Sequence, residues 1–200
     1  MRDEGVIKFQ CEWIKTPPPE AAEIAELNHW RSMLFQSGLI GVYPDGIGFG
    51  NISLRFAGTD QFWITGTQTG HLPELGAQHY TRVTDYSLAD NRVCCKGPVK
   101  ASSESLTHAM IYEMDHRIHA IVHGHHAKLW RALKDKVPTT SAAVPYGTPQ
   151  MALAVKSLYD QGDLAAQKIL VMAGHEDGLI SFGPTLIEAA GTMLGYWRRI

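Results

Sequence analysis

The stretch His119-Ala-Ile-Val-His-Gly-His-His126 ends an apolar run in histidines. Histidine is the commonest metal ligand and the side chain that titrates near neutral pH. On a strand, alternate side chains share a face, so His123 and His125 point the same way with Cα atoms roughly 6.5–7 Å apart. Two imidazoles at that separation can converge on one cation, with Zn–N near about 2.0–2.1 Å. Gly124 between them removes a side chain and lets the backbone bend. His126 points elsewhere and is expected to begin the next helix. A His-x-His pair is common and by itself does not establish a site. The glutamate that would follow such a pair in a cupin-like site is missing from Ala-Lys-Leu-Trp-Arg-Ala-Leu-Lys-Asp, so further ligands must come from elsewhere in the chain.

Two residues qualify. His175 lies in Val-Met-Ala-Gly-His-Glu-Asp-Gly, a polar loop after an apolar strand, where a side chain can project into a site or simply into solvent. Glu104 lies at the start of a helix in Ala-Ser-Ser-Glu-Ser-Leu-Thr-His, where an acid also does no more than complement the helix dipole. Ser102 and Ser103 precede it. Hydroxyls and N–H groups at a helix start make an anion site, and one of these serines is expected to cap the helix. The loops Gly-Asn-Ile-Ser-Leu-Arg and Thr-Gly-Thr-Gln-Thr-Gly are small, hydroxylated and glycine-rich, the kind that cradle phosphate. Neither is a P-loop or a dinucleotide fingerprint.

The elements that must carry these residues alternate. A helix is expected from Pro19 through Leu34 to a stop at Gly38, burying Ile24, Leu27, Trp30 and Leu34. Strands are expected from about Asn51, in Phe-Trp-Ile-Thr, and in a hairpin through Ala-Asp-Asn. A helix after Ser103 leads to the buried strand that ends in His123. A helix over Ala-Lys-Leu-Trp-Arg-Ala-Leu follows, then one ending at Gly162, two apolar strands around the His175 loop, and a final helix. Residues 1–16 have no clear period. The sum is an α/β sheet covered by helices with substantial antiparallel pairing, and the histidine site is expected at the sheet edge.

Two hundred residues form one domain, 1–200, on the length prior. Hydrophobic residues at 44% and charged residues at 19% are an ordinary globular composition. A net charge of −2 gives no sign of a nucleic-acid or membrane partner. The cysteines, Cys11 and the adjacent Cys94 and Cys95, build neither a disulfide framework nor a thiolate knuckle. The N-terminus has acids and no apolar leader region, and a reduced, cytoplasmic protein is expected.

Taken in order, these segments resemble the class II aldolase/adducin family. Gly-Asn-Ile-Ser-Leu-Arg, Trp-Ile-Thr-Gly-Thr-Gln-Thr-Gly, the Ser-Ser-Glu helix start, Val-His-Gly-His, Val-Pro-Tyr-Gly-Thr and the Gly-His-Glu-Asp-Gly loop each have a family counterpart. The resemblance implies that His123, His125 and His175 hold a divalent metal, usually zinc. It implies that Glu104 is the acid/base, and that Asn51, Thr69, Gly70, Ser102 and Ser103 bind a substrate phosphate. The fold implied is a three-layer α/β/α sandwich with a mainly antiparallel sheet, and the assembly a fourfold homotetramer with sites at subunit interfaces. The activity implied is aldol cleavage of a small phosphorylated ketose through an enediolate, with a dehydratase or epimerase as the nearest alternative. A non-enzymatic, adducin-like interaction protein should have lost metal ligands, and every matched ligand is retained here. Glu176 and Asp177 depart from the family's Asn-His-Gly. The resemblance also implies a proton-carrying tyrosine in a tail beyond Gly-Tyr-Trp-Arg-Arg-Ile, a residue with no match in these 200 residues; Tyr146 and Tyr196 are candidate substitutes, although each fits better as a core or interface aromatic.

Overall fold

A computed structural model describes residues 5–200. Residues 1–4, part of the stretch in which no leader is expected, lie outside it. Six helices surround an eight-stranded sheet. The strands are β1 (Gln10–Lys15), β2 (Gly41–Val42), β3 (Gly48–Phe49), β4 (Asn51–Arg55), β5 (Phe62–Thr65), β6 (Tyr80–Ser87), β7 (Arg92–Gly97), β8 (Ala120–His125), β9 (Ile169–Val171) and β10 (Gly178–Gly183). The helices are α1 (Ala25–Gln36), α2 (Ser105–Met114), α3 (Ala127–Leu133), α4 (Pro149–Asp160), α5 (Asp163–Gln167) and α6 (Leu186–Trp197). The large sheet runs β1-β7-β6-β5-β4-β8-β10-β9, and β2 and β3 pair as a separate small hairpin. Only β1 on β7 is parallel among these pairs. The fold is mixed α/β with a mainly antiparallel sheet.

Successive residues of the inner strands feed two apolar clusters. Ile52, Trp63, Val122 and Leu179 belong to one. Phe62, Ile64, Ile121 and Ile180 belong to the other. This is the period-2 alternation of a sheet buried on both faces. The continuous apolar run of β8 follows from its place: all six of its residues are buried, between β4 and β10. The histidines therefore sit on an interior strand, and the expected sheet-edge position is corrected. Their polarity is tolerated because they fall at the strand's end, where neighbouring polar groups converge.

Helix α1 begins later than expected. Ala21–Ile24 form a 3-10 turn in which the Glu23 carboxylate accepts the Glu20 N–H at 3.0 Å. It stops as predicted, with Gly38 at φ 71°, a left-handed conformation that glycine adopts without steric cost. Its buried face includes Leu27, Leu34 and, unexpectedly for a charged residue, Arg31. The expected serine cap of α2 is also corrected: Glu104 occupies the cap position and no side chain caps the helix. Ser102 and Ser103 lie in the turn before it, where the Ser102 carbonyl accepts both the N–H and the hydroxyl of Ser105. His126 caps α3 as expected, its Nδ1 accepting the Leu129 N–H at 3.2 Å. Among the described residues no helix is long and apolar enough to cross a membrane.

Beneath the site, Ser53 Oγ lies 2.7 Å from His108 Nδ1 and 2.6 Å from the Tyr112 hydroxyl. Burial pulls the His108 pKa down to about 3. An unfolded histidine titrates near about 6.5, so below that pH the unfolded chain takes up a proton that the folded chain refuses. Stability is complete above about 6.5 and falls as pH drops towards 3, by up to about 1.4 kcal/mol per pH unit from this one group. Urea unfolding of metal-free protein at pH 7, 6 and 5 should show that slope reduced by about one proton in His108→Gln. An unchanged slope would contradict the assignment.

Candidate metal centre and substrate site

The register of β8 decides what meets at its end. His123 pairs with Asn51 of β4 on one side and Ile180 of β10 on the other, and His125 pairs with Gly178. The turn from Met172 to Gly178 is closed by hydrogen bonds from His175 N–H to the Met172 carbonyl and from Gly178 N–H to the His175 carbonyl. That turn hangs His175 over the β8 histidines. A Cβ at Gly174 would lie 1.9 Å from the Val144 carbonyl oxygen. The absence of one lets the Val144–Gly147 segment press close, and the Tyr146 ring stacks on His175 at 4.1 Å.

One ring nitrogen from each of His123, His125 and His175 lies within 4.8 Å of the others, and all three residues are buried. The Nε2 atoms of His123 and His125 are 2.9 Å apart; ligands on a tetrahedral zinc would sit about 3.3 Å apart given Zn–N bonds of about 2.05 Å. The tautomer of His123 is fixed, since its Nδ1 lies 3.0 Å from the Leu179 carbonyl, which only accepts, so Nδ1 carries the proton. Its Nε2 is then a bare lone pair. Burial, with a smaller contribution from His175, holds the His123 pKa well below the usual histidine value, so the ring is neutral, as a ligand must be. The Nδ1 of His125 faces the Tyr43 hydroxyl at 2.7 Å, a group that can accept its proton and free Nε2 for a metal. Three imidazole donors at this spacing fit a divalent cation.

Glu104 is fully buried beside this cluster, its Oε1 3.8 Å from His175 Nδ1. Thr107, one turn along α2, donates its hydroxyl to Oε2 at 2.8 Å and fixes the rotamer. Of the candidate anion positions, Asn51 pairs with His123, and Ser102 and Ser103 immediately precede Glu104. Asn51 is buried, and its Oδ1 has no protein partner among the described residues. A bridge between Gly66 and Ala101 and the bond from Thr67 N–H to the Lys100 carbonyl bring the threonine loop beside Ser102 and Ser103. Thr69 is turned inward, its hydroxyl donating to the Gly66 carbonyl at 2.8 Å. Gly70 lies against β3, where a Cβ would come 2.5 Å from the Phe49 carbonyl oxygen. Of the two candidate tyrosines, Tyr146 is at the site, and Tyr196 packs on α6 against the other face of the sheet. Glu176 points to solvent.

Tyr43 and Phe49 escaped the sequence reading. Both come from the β2–β3 hairpin, and Phe49 lies 5.4 Å from the His125 ring. Pro44-Asp45-Gly46 is a turn signal in the sequence, but nothing in the sequence says that this hairpin folds onto β8. Outer partners of this kind orient a metal ligand and are typically worth about 10–100-fold in affinity. Tyr43→Phe should therefore weaken zinc binding by about that factor in a chelator-competition titration, with little change in unfolding of the metal-free protein. An unchanged affinity would remove Tyr43 from the site.

Three histidines and a carboxylate meet at the ends of β8, β10 and α2, the arrangement that the class II aldolase/adducin resemblance implies. The chain belongs to that family: residues 44–196 match the class II aldolase and adducin N-terminal domain. The L-fuculose-1-phosphate aldolase of Thermus thermophilus shares the fold, with a TM-score of 0.64, 22% identity and coverage of 90% of this chain and 91% of that one. A sugar-phosphate aldolase from Thermotoga maritima gives 0.66 at 17% identity, over 88% and 91% of the two chains. The N-terminal class II aldolase domain of a Thermoplasma acidophilum protein gives 0.58 at 17% identity, over 94% and 95%. No curated protein matches the sequence.

Proposed function

We propose that the protein is a zinc-dependent lyase that cleaves a carbon–carbon bond of a small phosphorylated ketose. The observation that carries this reading is the convergence of three buried imidazoles with the Glu104 carboxylate 3.8 Å from one of them. His123, His125 and His175 would hold a divalent cation, which would supply Lewis-acid polarisation of a substrate carbonyl and favour the negative charge left when a neighbouring bond breaks. The protein supplies the proton carrier and the walls. Glu104, anchored through Oε2 by Thr107, turns Oε1 towards the histidines and holds or returns the proton there. The rings of Tyr146 and Phe49 flank His175 and His125 and restrict water. Asn51, Thr69, Gly70, Ser102 and Ser103 receive the phosphate. The buried, unpartnered Oδ1 of Asn51 calls for a hydrogen-bond donor, such as a substrate hydroxyl, while its amide N–H groups are the ones that can meet a phosphate, and solved neighbours that are sugar-phosphate aldolases support the substrate class.

The reading takes residues 1–200 as a single three-layer domain, which the two apolar clusters on opposite sheet faces support. It keeps the fourfold tetramer of the family resemblance. Its test is a panel of ketose phosphates offered to zinc-loaded and chelator-stripped protein, with aldehyde release as the readout. Cleavage of at least one member by the loaded protein alone is expected. Absence of cleavage across the panel with zinc bound would contradict the lyase assignment.

A further inference from the structure

Arg31 is 1% exposed, one of the largest fully buried side chains in the protein. A buried guanidinium ordinarily has a carboxylate partner, because removing a charge from water without one is expensive. Among the described residues no carboxylate pairs with it. Its hydrogen bonds go to main-chain carbonyls: Nη1 donates to Pro73 at 3.0 Å, and Nη2 donates to Thr69 at 3.1 Å and Gly70 at 3.2 Å. Burial lowers its pKa to about 10, so the charge persists at neutral pH.

The geometry of those bonds has a consequence at the site. In a trans peptide the C=O and the next N–H point in opposite directions. With the Thr69 and Gly70 carbonyls drawn to Arg31, the N–H groups of Gly70 and His71 face away from it. Gly48 packs its backbone closely against this loop: a Cβ there would stand 2.8 Å from His71 N and 3.2 Å from Gly70 N, so only glycine lets β3 approach it so near. A guanidinium with no carboxylate partner among the described residues lies behind the loop, and two N–H donors lie on its opposite side.

We propose that Arg31 is the positioning residue that gives this site its preference for a phosphate ester: it orients the Thr69–Gly70 peptides, and its uncompensated charge is balanced by the anionic group of the substrate. The proposal deepens the lyase reading and rests on its assignment of Thr69 and Gly70 to the phosphate. A cross-link between α1 and the loop, with no electrostatic part, is the rival account. The two separate on ligands that differ only in the phosphate.

Zinc-loaded wild type, Arg31→Lys, Arg31→Gln and Arg31→Met are titrated with dihydroxyacetone phosphate and with dihydroxyacetone. Wild type should prefer the phosphate ester. The neutral variants should lose about ten- to hundredfold in affinity for it, with dihydroxyacetone binding and zinc content unchanged, and Arg31→Lys should stay within a few-fold of wild type. Should Arg31→Met fail to fold, the Lys and Gln pair carries the comparison. Equal losses for both ligands, or no loss in the neutral variants, would overturn the role given to Arg31 and leave the phosphate site standing. A wild type with no preference for the ester would overturn the phosphate assignment itself, and the Arg31 proposal with it.

Discussion

Replacement of Glu104 by glutamine is expected to slow turnover by about 10²–10⁴-fold while the metal stays in place. The amide has the size of the carboxylate and can still accept the Thr107 hydroxyl bond now made at 2.8 Å. What it lacks is a basic oxygen 3.8 Å from His175 that can take a proton and give it back. Were Glu104 only a first-turn acid, its loss would cost about 0.3–1 kcal/mol through the helix dipole and leave the rate alone. The burial already weighs against that alternative, since a dipole-complementing acid is normally in water and this one is fully enclosed. Single-turnover rates with zinc content measured on the same samples check the prediction. A Glu104→Gln enzyme as fast as wild type would end the proton-carrier role.

Loss of His123 should have the largest effect on the metal. His123→Ala removes the ligand whose tautomer the Leu179 carbonyl fixes, and zinc affinity should fall by more than the roughly 10–100-fold expected for an outer partner such as Tyr43. Activity should fall to background. Because His123 lies on an interior strand, the change also reaches stability. It leaves the Leu179 carbonyl without its donor, at about 1–3 kcal/mol. Urea unfolding of the metal-free variant should show that loss in a protein that still folds. Zinc affinity within tenfold of wild type would exclude His123 from the coordination sphere.

The parts of this site that follow a local period were legible in the sequence. His123 and His125 share a face because strand side chains alternate, and His175 and Glu104 could be nominated from their places at element ends. Parts created by long-range packing were not. Tyr43 meets His125 82 residues away, and Arg31 meets Thr69 across 38, and neither pairing leaves a trace in spacing. Strand β1 was missed because it lies at the sheet edge with most of its residues partly or fully exposed, so Gln-Cys-Glu-Trp-Ile-Lys lacks a strong apolar alternation. The interior position of β8 was misjudged because an apolar run reports burial without saying which strands flank it. Ser102 and Ser103 looked like caps since their residue type favours that position, and the chain instead puts Glu104 at the cap and begins α2 at Ser105.

The central claim is that Glu104 moves a proton on a hydroxy-ketone bound at the three-histidine centre, and it can be tested before any aldehyde partner is known. Zinc-loaded protein is incubated with dihydroxyacetone phosphate in heavy water, and exchange at the hydroxyl-bearing carbon is followed by proton NMR. The account predicts stereospecific uptake of one deuterium by wild type, with none above background for chelator-stripped protein and a rate about 10²–10⁴-fold lower for Glu104→Gln. Bound ligand with no exchange in zinc-loaded wild type, or exchange equally fast in Glu104→Gln, would contradict it.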